Sequence, residues 1–227
     1  MRKIVLLLAL AIALAAAPAS AQEKRFTVNL GGGASVPLSD VGDYFGTGFN
    51  VVFGVTVHLN DSLGIQAEYQ YNGLGSLDGN SAELPSNPIE PPIQLKLGHN
   101  MNVGNFNLVF KPRTRGRVGG YMLGGGGIYH RRVDLSTPGT GLVTVCNPWW
   151  YICYPTPVPV DRIIGTRSST DFGVDVGGGM TFLIGDTEEF YVEARYHYVW
   201  GPEVDDGQGN KQKANGQYLP ITFGFRF

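Results

Sequence analysis

Eight segments of the chain alternate apolar and polar residues with a period of two, each bounded by turn-forming residues. They fall at about Arg25–Val36, Gly48–Leu59, Leu63–Leu74, Leu97–Lys111, Gly119–Arg132, Ser169–Ile184, Phe190–Trp200 and Gly216–Phe227. In the second, Phe49, Val51, Phe53, Val55, Val57 and Leu59 share one face, opposite Asn50, Thr56 and His58. The third sets Leu63, Ile65, Ala67, Tyr69 and Tyr71 against Gln66, Glu68, Gln70 and Asn72. The seventh opposes Phe190, Val192, Ala194, Tyr196, Tyr198 and Trp200 to Glu193, Arg195 and His197. The last opposes Leu219, Ile221, Phe223, Phe225 and Phe227 to Thr222, Gly224 and Arg226. In the fourth, apolar parity changes between Met101, Val103 and Phe106, Leu108, Phe110, which predicts a β-bulge near Gly104-Asn105. Four successive glycines leave the fifth without a face that its pattern assigns.

A water-soluble sandwich would alternate in the same way. Three features favour a closed barrel in a membrane. Glu68, Asp175, Glu193 and Arg195 stand in mid-strand on the polar face, and aromatics gather at strand ends on the other, which suits a lipid-facing exterior with aromatic girdles. Connections near 60–62, 112–118 and 185–189 are short, whereas those near 37–47, 75–96, 133–168 and 201–215 are long, as periplasmic turns and extracellular loops would be. The last strand ends on an aromatic, Phe227. The expected fold is all-β: an eight-stranded antiparallel up-and-down transmembrane β-barrel with long extracellular loops, monomeric in outer-membrane lipid.

The N-terminus fits that destination. Arg2 and Lys3, the apolar run Ile4 to Ala16 and the small residues Ala19-Ser20-Ala21 predict a cleaved signal peptide over 1–21, leaving 22–227 as the barrel domain. Loss of Arg2 and Lys3 takes the formal net charge from −2 to −4, and the one basic cluster, Lys111 to Arg117, is short enough to be a solvated turn. Nothing in this balance suits nucleic acid. The 33 glycines are roughly twice the average usage, and many stand inside strands, where they predict sheet curvature or room for a large neighbour.

Four stretches carry a family likeness: Phe26 to Gly33, Gly119 to Gly127, Phe190 to Tyr196, and Leu219 to Phe227. In their order, and with the terminal Phe227, the chain resembles the OmpA-like small outer-membrane barrel family across most of 22–227. The resemblance implies the outer membrane of a Gram-negative-type bacterium as location, and the barrel-assembly machinery as a partner that reads Phe227 as an assembly signal. The family's signal usually has glycine five residues before the terminal aromatic; here Thr222 stands there, with Gly224 two residues later.

Pairing the strands about their short turns sets Glu68 opposite Gly54, and, centred on Thr187, Arg195 opposite Gly179 and His197 opposite Gly177. Strands three and seven lie across an eight-stranded barrel, with Glu68 and Arg195 at equal height. This predicts a luminal network of Glu68, Arg195, Glu193, Arg226 and Asp175, with Lys111 and Asp175 further out. It reads as a structural plug, against a selectivity filter for a small solute. Eight-stranded barrels include lipid-modifying enzymes, but no Ser stands near His197, the histidine with acidic company, and His58, His99 and His130 stand alone. No catalytic, metal or cofactor site is expected. The only cysteines, Cys146 and Cys153, lie in an exported loop and are expected to pair, holding Trp149, Trp150 and Tyr151 at its tip. Those aromatics are either a contact surface for an extracellular ligand or packing for the loop itself. The function expected is that of a non-enzymatic structural or surface-binding protein, with a narrow channel of the OmpW-like kind as the alternative.

Overall fold

A computed structural model describes residues 26–227 apart from 44, 77–95, 114–115, 148–151, 186 and 206–210. The predicted signal peptide and Trp149, Trp150 and Tyr151 lie outside the described residues. Eight strands close into a barrel: β1 (Phe26–Leu38), β2 (Phe45–His58), β3 (Leu63–Ser76), β4 (Lys96–Phe110), β5 (Val118–Asn147), β6 (Ile152–Leu183), β7 (Glu189–Val199) and, last in the chain, β10 (Gly216–Arg226). All neighbours are antiparallel, and β10 pairs with β1 to seal the ring, from Asn29–Arg226 to Leu38–Gln217. Phe227 completes the seam: its N–H donates to Val28 O at 3.0 Å and Val28 N–H donates back at 3.1 Å. A small hairpin, β8 (Glu203–Asp205) with β9 (Lys211–Lys213), stands in the connection expected to be a loop.

The period-two pattern sorts as a membrane barrel requires. Phe53, Phe106, Met122, Phe172, Val176 and Phe223 point outward and are about half exposed or more, whereas Asn50, Gln66, Glu68, Asn105, Glu193 and Arg195 are buried inside. Exposed apolar area on this scale is stable only against hydrocarbon. Pairing in β2–β3 runs as the turn predicts, with Gly54 opposite Glu68 and Thr56 opposite Gln66.

Three expectations are corrected. No bulge interrupts β4, whose pairing with β3 and β5 is continuous through Gly104 and Asn105. Parity changes because Met101 and Val103 point into the lumen while Phe106, Leu108 and Phe110 face lipid. The β6–β7 hairpin is centred one position earlier than Thr187, closed by Ile184 N–H donating to Glu188 O at 2.9 Å. Arg195 therefore stands opposite Gly177, and His197 opposite Asp175. The connection 133–168 is no loop: β5 and β6 stay paired from Val133–Arg167 to Asn147–Ile152, with one irregularity at Leu135/Ser136, in a ribbon that β4 accompanies only as far as Ser136. Residues rich in Thr, Val and Ile favour extended backbone. The prolines at 138, 155, 157 and 159 fit a strand provided that each ring nitrogen lies on an outer edge.

Candidate functional site

The lumen is filled in layers. At its centre Arg195, on β7, meets Glu68 of β3 across the barrel in a bidentate pair, Nη1 to Oε1 at 2.6 Å and Nη2 to Oε2 at 3.1 Å. Two parallel N–H···O bonds between planar groups fix both partners more firmly than a point charge would. Arg195 also donates from Nε to Glu193 Oε1 at 3.0 Å and lies 3.6 Å from Asp175. Asn105 Nδ2 donates to Asp175 at 3.2 Å, and Asn107, with its amide turned to satisfy both neighbours, bridges Asp175 and Arg195. Gln66 donates to Glu68 at 2.8 Å. Arg226 approaches Glu193 at 3.5 Å, and its guanidinium lies 4.0 Å above the Tyr121 ring and 4.7 Å from that of Tyr191. Tyr121 donates its hydroxyl to Glu193 at 2.6 Å. The structure thus brings Glu68, Glu193, Arg195, Arg226 and Asp175 together, with Asp175 in the central layer rather than further out. Lys111 belongs elsewhere, bonded to Glu189 at 2.5 Å near the short turns.

Sequence reasoning missed the layers on either side. Toward the ribbon, Met101, Val103, Tyr129, Val199 and Tyr218 form an apolar cluster. His197 is fully buried against it, stacked on Tyr218 at 4.5 Å and sharing a 2.9 Å hydrogen bond with the Tyr129 hydroxyl. Toward the short turns, Val109, Tyr121 and Leu123 make a second apolar cluster above a vestibule of about 200 Å³ bordered by His58, Lys111, Glu189 and Arg226. The signal for these layers was the parity change in the fourth segment. The luminal glycines serve tyrosines more than charges. A Cβ on Gly173 would stand 2.5 Å from the Tyr129 ring, and one on Gly179 would stand 2.6 Å from the Tyr121 hydroxyl. Each ring reaches across the lumen because the strand beside it is bare.

At the open end Arg131 bonds Asp171 at 2.6 Å and Ala214 O at 3.0 Å, tying the base of the ribbon to the connection before β10. At the far end of the ribbon Cys146 is the direct cross-strand partner of Cys153. His130 shares a 2.9 Å bond with Thr170 on the exterior, and His58 one of 2.8 Å with Thr27.

No curated protein sequence matches the chain. Among solved structures it is similar to a major outer membrane protein from Thermus thermophilus, at 11% identity over 89% of this chain and 98% of that one, with a TM-score of 0.51. Neisserial surface protein A is similar at 16% identity over 89% and 96% of the two chains, TM-score 0.49. The N-terminal β-barrel domain of Pseudomonas aeruginosa OprF follows at 9% identity over 91% and 100%, TM-score 0.44. The sequence itself matches, over residues 7–227, the family described as outer membrane protein beta-barrel domain. With strand count, closure and outward apolar face in agreement, the chain belongs to that family and is a protein of the bacterial outer membrane.

Proposed function

We propose that the protein is a non-enzymatic surface protein whose barrel is a rigid mount and whose β5–β6 ribbon, projecting to the cell exterior, carries recognition. The observation that supports this most is the filled lumen: a buried five-member ionic layer between two apolar clusters leaves side chains where a solute would pass. In an eight-stranded cylinder such a core stiffens the wall from which the ribbon rises. A lipid-modifying role is disfavoured because His197 is enclosed by Tyr129 and Tyr218, out of reach of a bilayer substrate. A Cys146–Cys153 disulfide, formed after export, would staple the ribbon and present Trp149, Trp150 and Tyr151 to an extracellular ligand. Phe227, seated on β1 at the seam, would be the residue that the assembly machinery reads. Purified protein in planar bilayers tests the reading. Silence is expected; steady discrete conductance that changes with Arg195→Ala would favour a narrow solute channel instead.

A further inference from the structure

Strand β5 outruns its barrel neighbour. Its pairing with β4 ends at Lys96–Ser136, yet β5 continues to Asn147, paired among the described residues with β6 alone. The sequence ahead of Lys96 carries Pro88, Pro91 and Pro92, residues without a backbone N–H.

The two edges of the ribbon are chemically unlike. In an antiparallel pair, alternate residues turn both backbone groups toward the partner or away from it. At the base, Leu183 N–H donates to Arg117 O at 2.8 Å, so odd-numbered residues of β5 face β6 and even-numbered ones face away. The register shift at Leu135/Ser136 puts its extra residue, Ile164, on β6, so β5 keeps that phase along the ribbon and Pro138 lies at an outward position. Pro155, Pro157 and Pro159 stand opposite Thr144, Leu142 and Thr140, so their ring nitrogens line the outer edge of β6 and block it. On the outer edge of β5 the same phase presents the N–H and C=O of Thr140, Leu142 and Thr144. Not one charged residue occurs from Ser136 to Asn147. Exposed edges are ordinarily guarded by charge or proline. Here β6 is guarded, and the outer edge of β5 beyond Pro138 has no strand partner among the described residues.

We propose that this edge pairs antiparallel with the same edge of a second copy in a facing membrane, so that the protein joins cell to cell; the inference rests on the ribbon being the recognition element. Two copies in one membrane send β5 outward in the same direction and could only pair parallel. Copies in facing membranes meet head to head, and a two-fold axis at Leu142 then sets Leu142 against its own counterpart and Thr140 against the counterpart of Thr144. Such a contact is isologous and closes at two copies. Leu142 is 75% exposed and uncharged, so nothing at the axis opposes its counterpart. The eleven residues beyond Ser136 give each ribbon a reach of about 35 Å.

The test uses full-length protein in two sets of dye-labelled liposomes, with folding of every variant checked by its heat-modifiable gel mobility. Wild-type sets are expected to cluster. Leu142→Lys alone and Leu142→Glu alone should each lower clustering to the level of protein-free liposomes, because like charges meet at the axis. A set carrying Leu142→Lys mixed with a set carrying Leu142→Glu should cluster again. Dispersed wild-type liposomes, or a Lys/Glu mixture that stays dispersed, would overturn the pairing. Conductance in bilayers would overturn the mount reading instead, whatever the clustering result.

Discussion

Removing Arg195 and removing Glu68 should have unequal effects, and the inequality follows from the count of partners. Arg195 is 3% exposed and sits among three carboxylates, Glu68, Glu193 and Asp175. Arg195→Ala leaves all three buried, with Arg226, 3.5 Å from Glu193, as the one guanidinium beside them. Stranding buried charge in this way costs about 3–5 kcal/mol. Glu68→Ala leaves Arg195 with Glu193 and Asp175 still in place, so the loss should be smaller, about 1–3 kcal/mol, the range for one hydrogen-bonded partner of a charged group. The double variant should show a coupling of about 1–3 kcal/mol, as contacting residues do. Urea unfolding in lipid vesicles, followed by tryptophan fluorescence and by heat-modifiable mobility, gives all three numbers. Additive losses, or Glu68→Ala proving costlier than Arg195→Ala, would refute the network as described.

Other consequences are as definite. Gly179→Ala should destabilise by about 1–3 kcal/mol, since its Cβ would stand 2.6 Å from the Tyr121 hydroxyl, whereas Gly104→Ala, with open lipid-facing space, should change stability by less than about 0.5 kcal/mol in the same unfolding assay. Reduction of a Cys146–Cys153 bond should leave the barrel's thermal transition unmoved and make the ribbon's far end sensitive to protease, read by mass spectrometry of the fragments. Phe227→Ser should lower the amount of protein recovered from outer membranes, measured by immunoblot against total protein; an unchanged yield would remove its role as an assembly signal.

Strand number, closure and the inward charged row were legible because each rests on a period of two, and a slip by one residue would drive Glu68 and Arg195 into hydrocarbon. The β2–β3 register was legible too, because Asn60 Oδ1 accepts from Ser62 and Leu63 N–H at 2.9 Å and fixes the turn about Asp61. The β6–β7 turn was misplaced by one residue: its pairing is centred on position 186, not on Thr187. The ribbon was hidden by its prolines. Alternate prolines argue against a central strand, yet on a two-stranded ribbon each can face outward, and only the register of Thr140, Leu142 and Thr144 reveals it. Met101 and Val103 looked like a bulge because a membrane barrel's interior is expected to be polar, and here part of it is not.

The account stands on which side chains meet hydrocarbon. Nitroxides attached through Phe53→Cys or Phe223→Cys, in a background with Cys146→Ser and Cys153→Ser, report this directly by power-saturation spectroscopy of the protein in bilayers. Phe53 and Phe223 are half exposed on the outer wall and should give labels relaxed strongly by oxygen and weakly by a water-soluble nickel chelate, while Leu142→Cys on the ribbon should give the reverse. Labels at 53 and 223 that respond to nickel and not to oxygen would contradict the barrel's orientation in lipid.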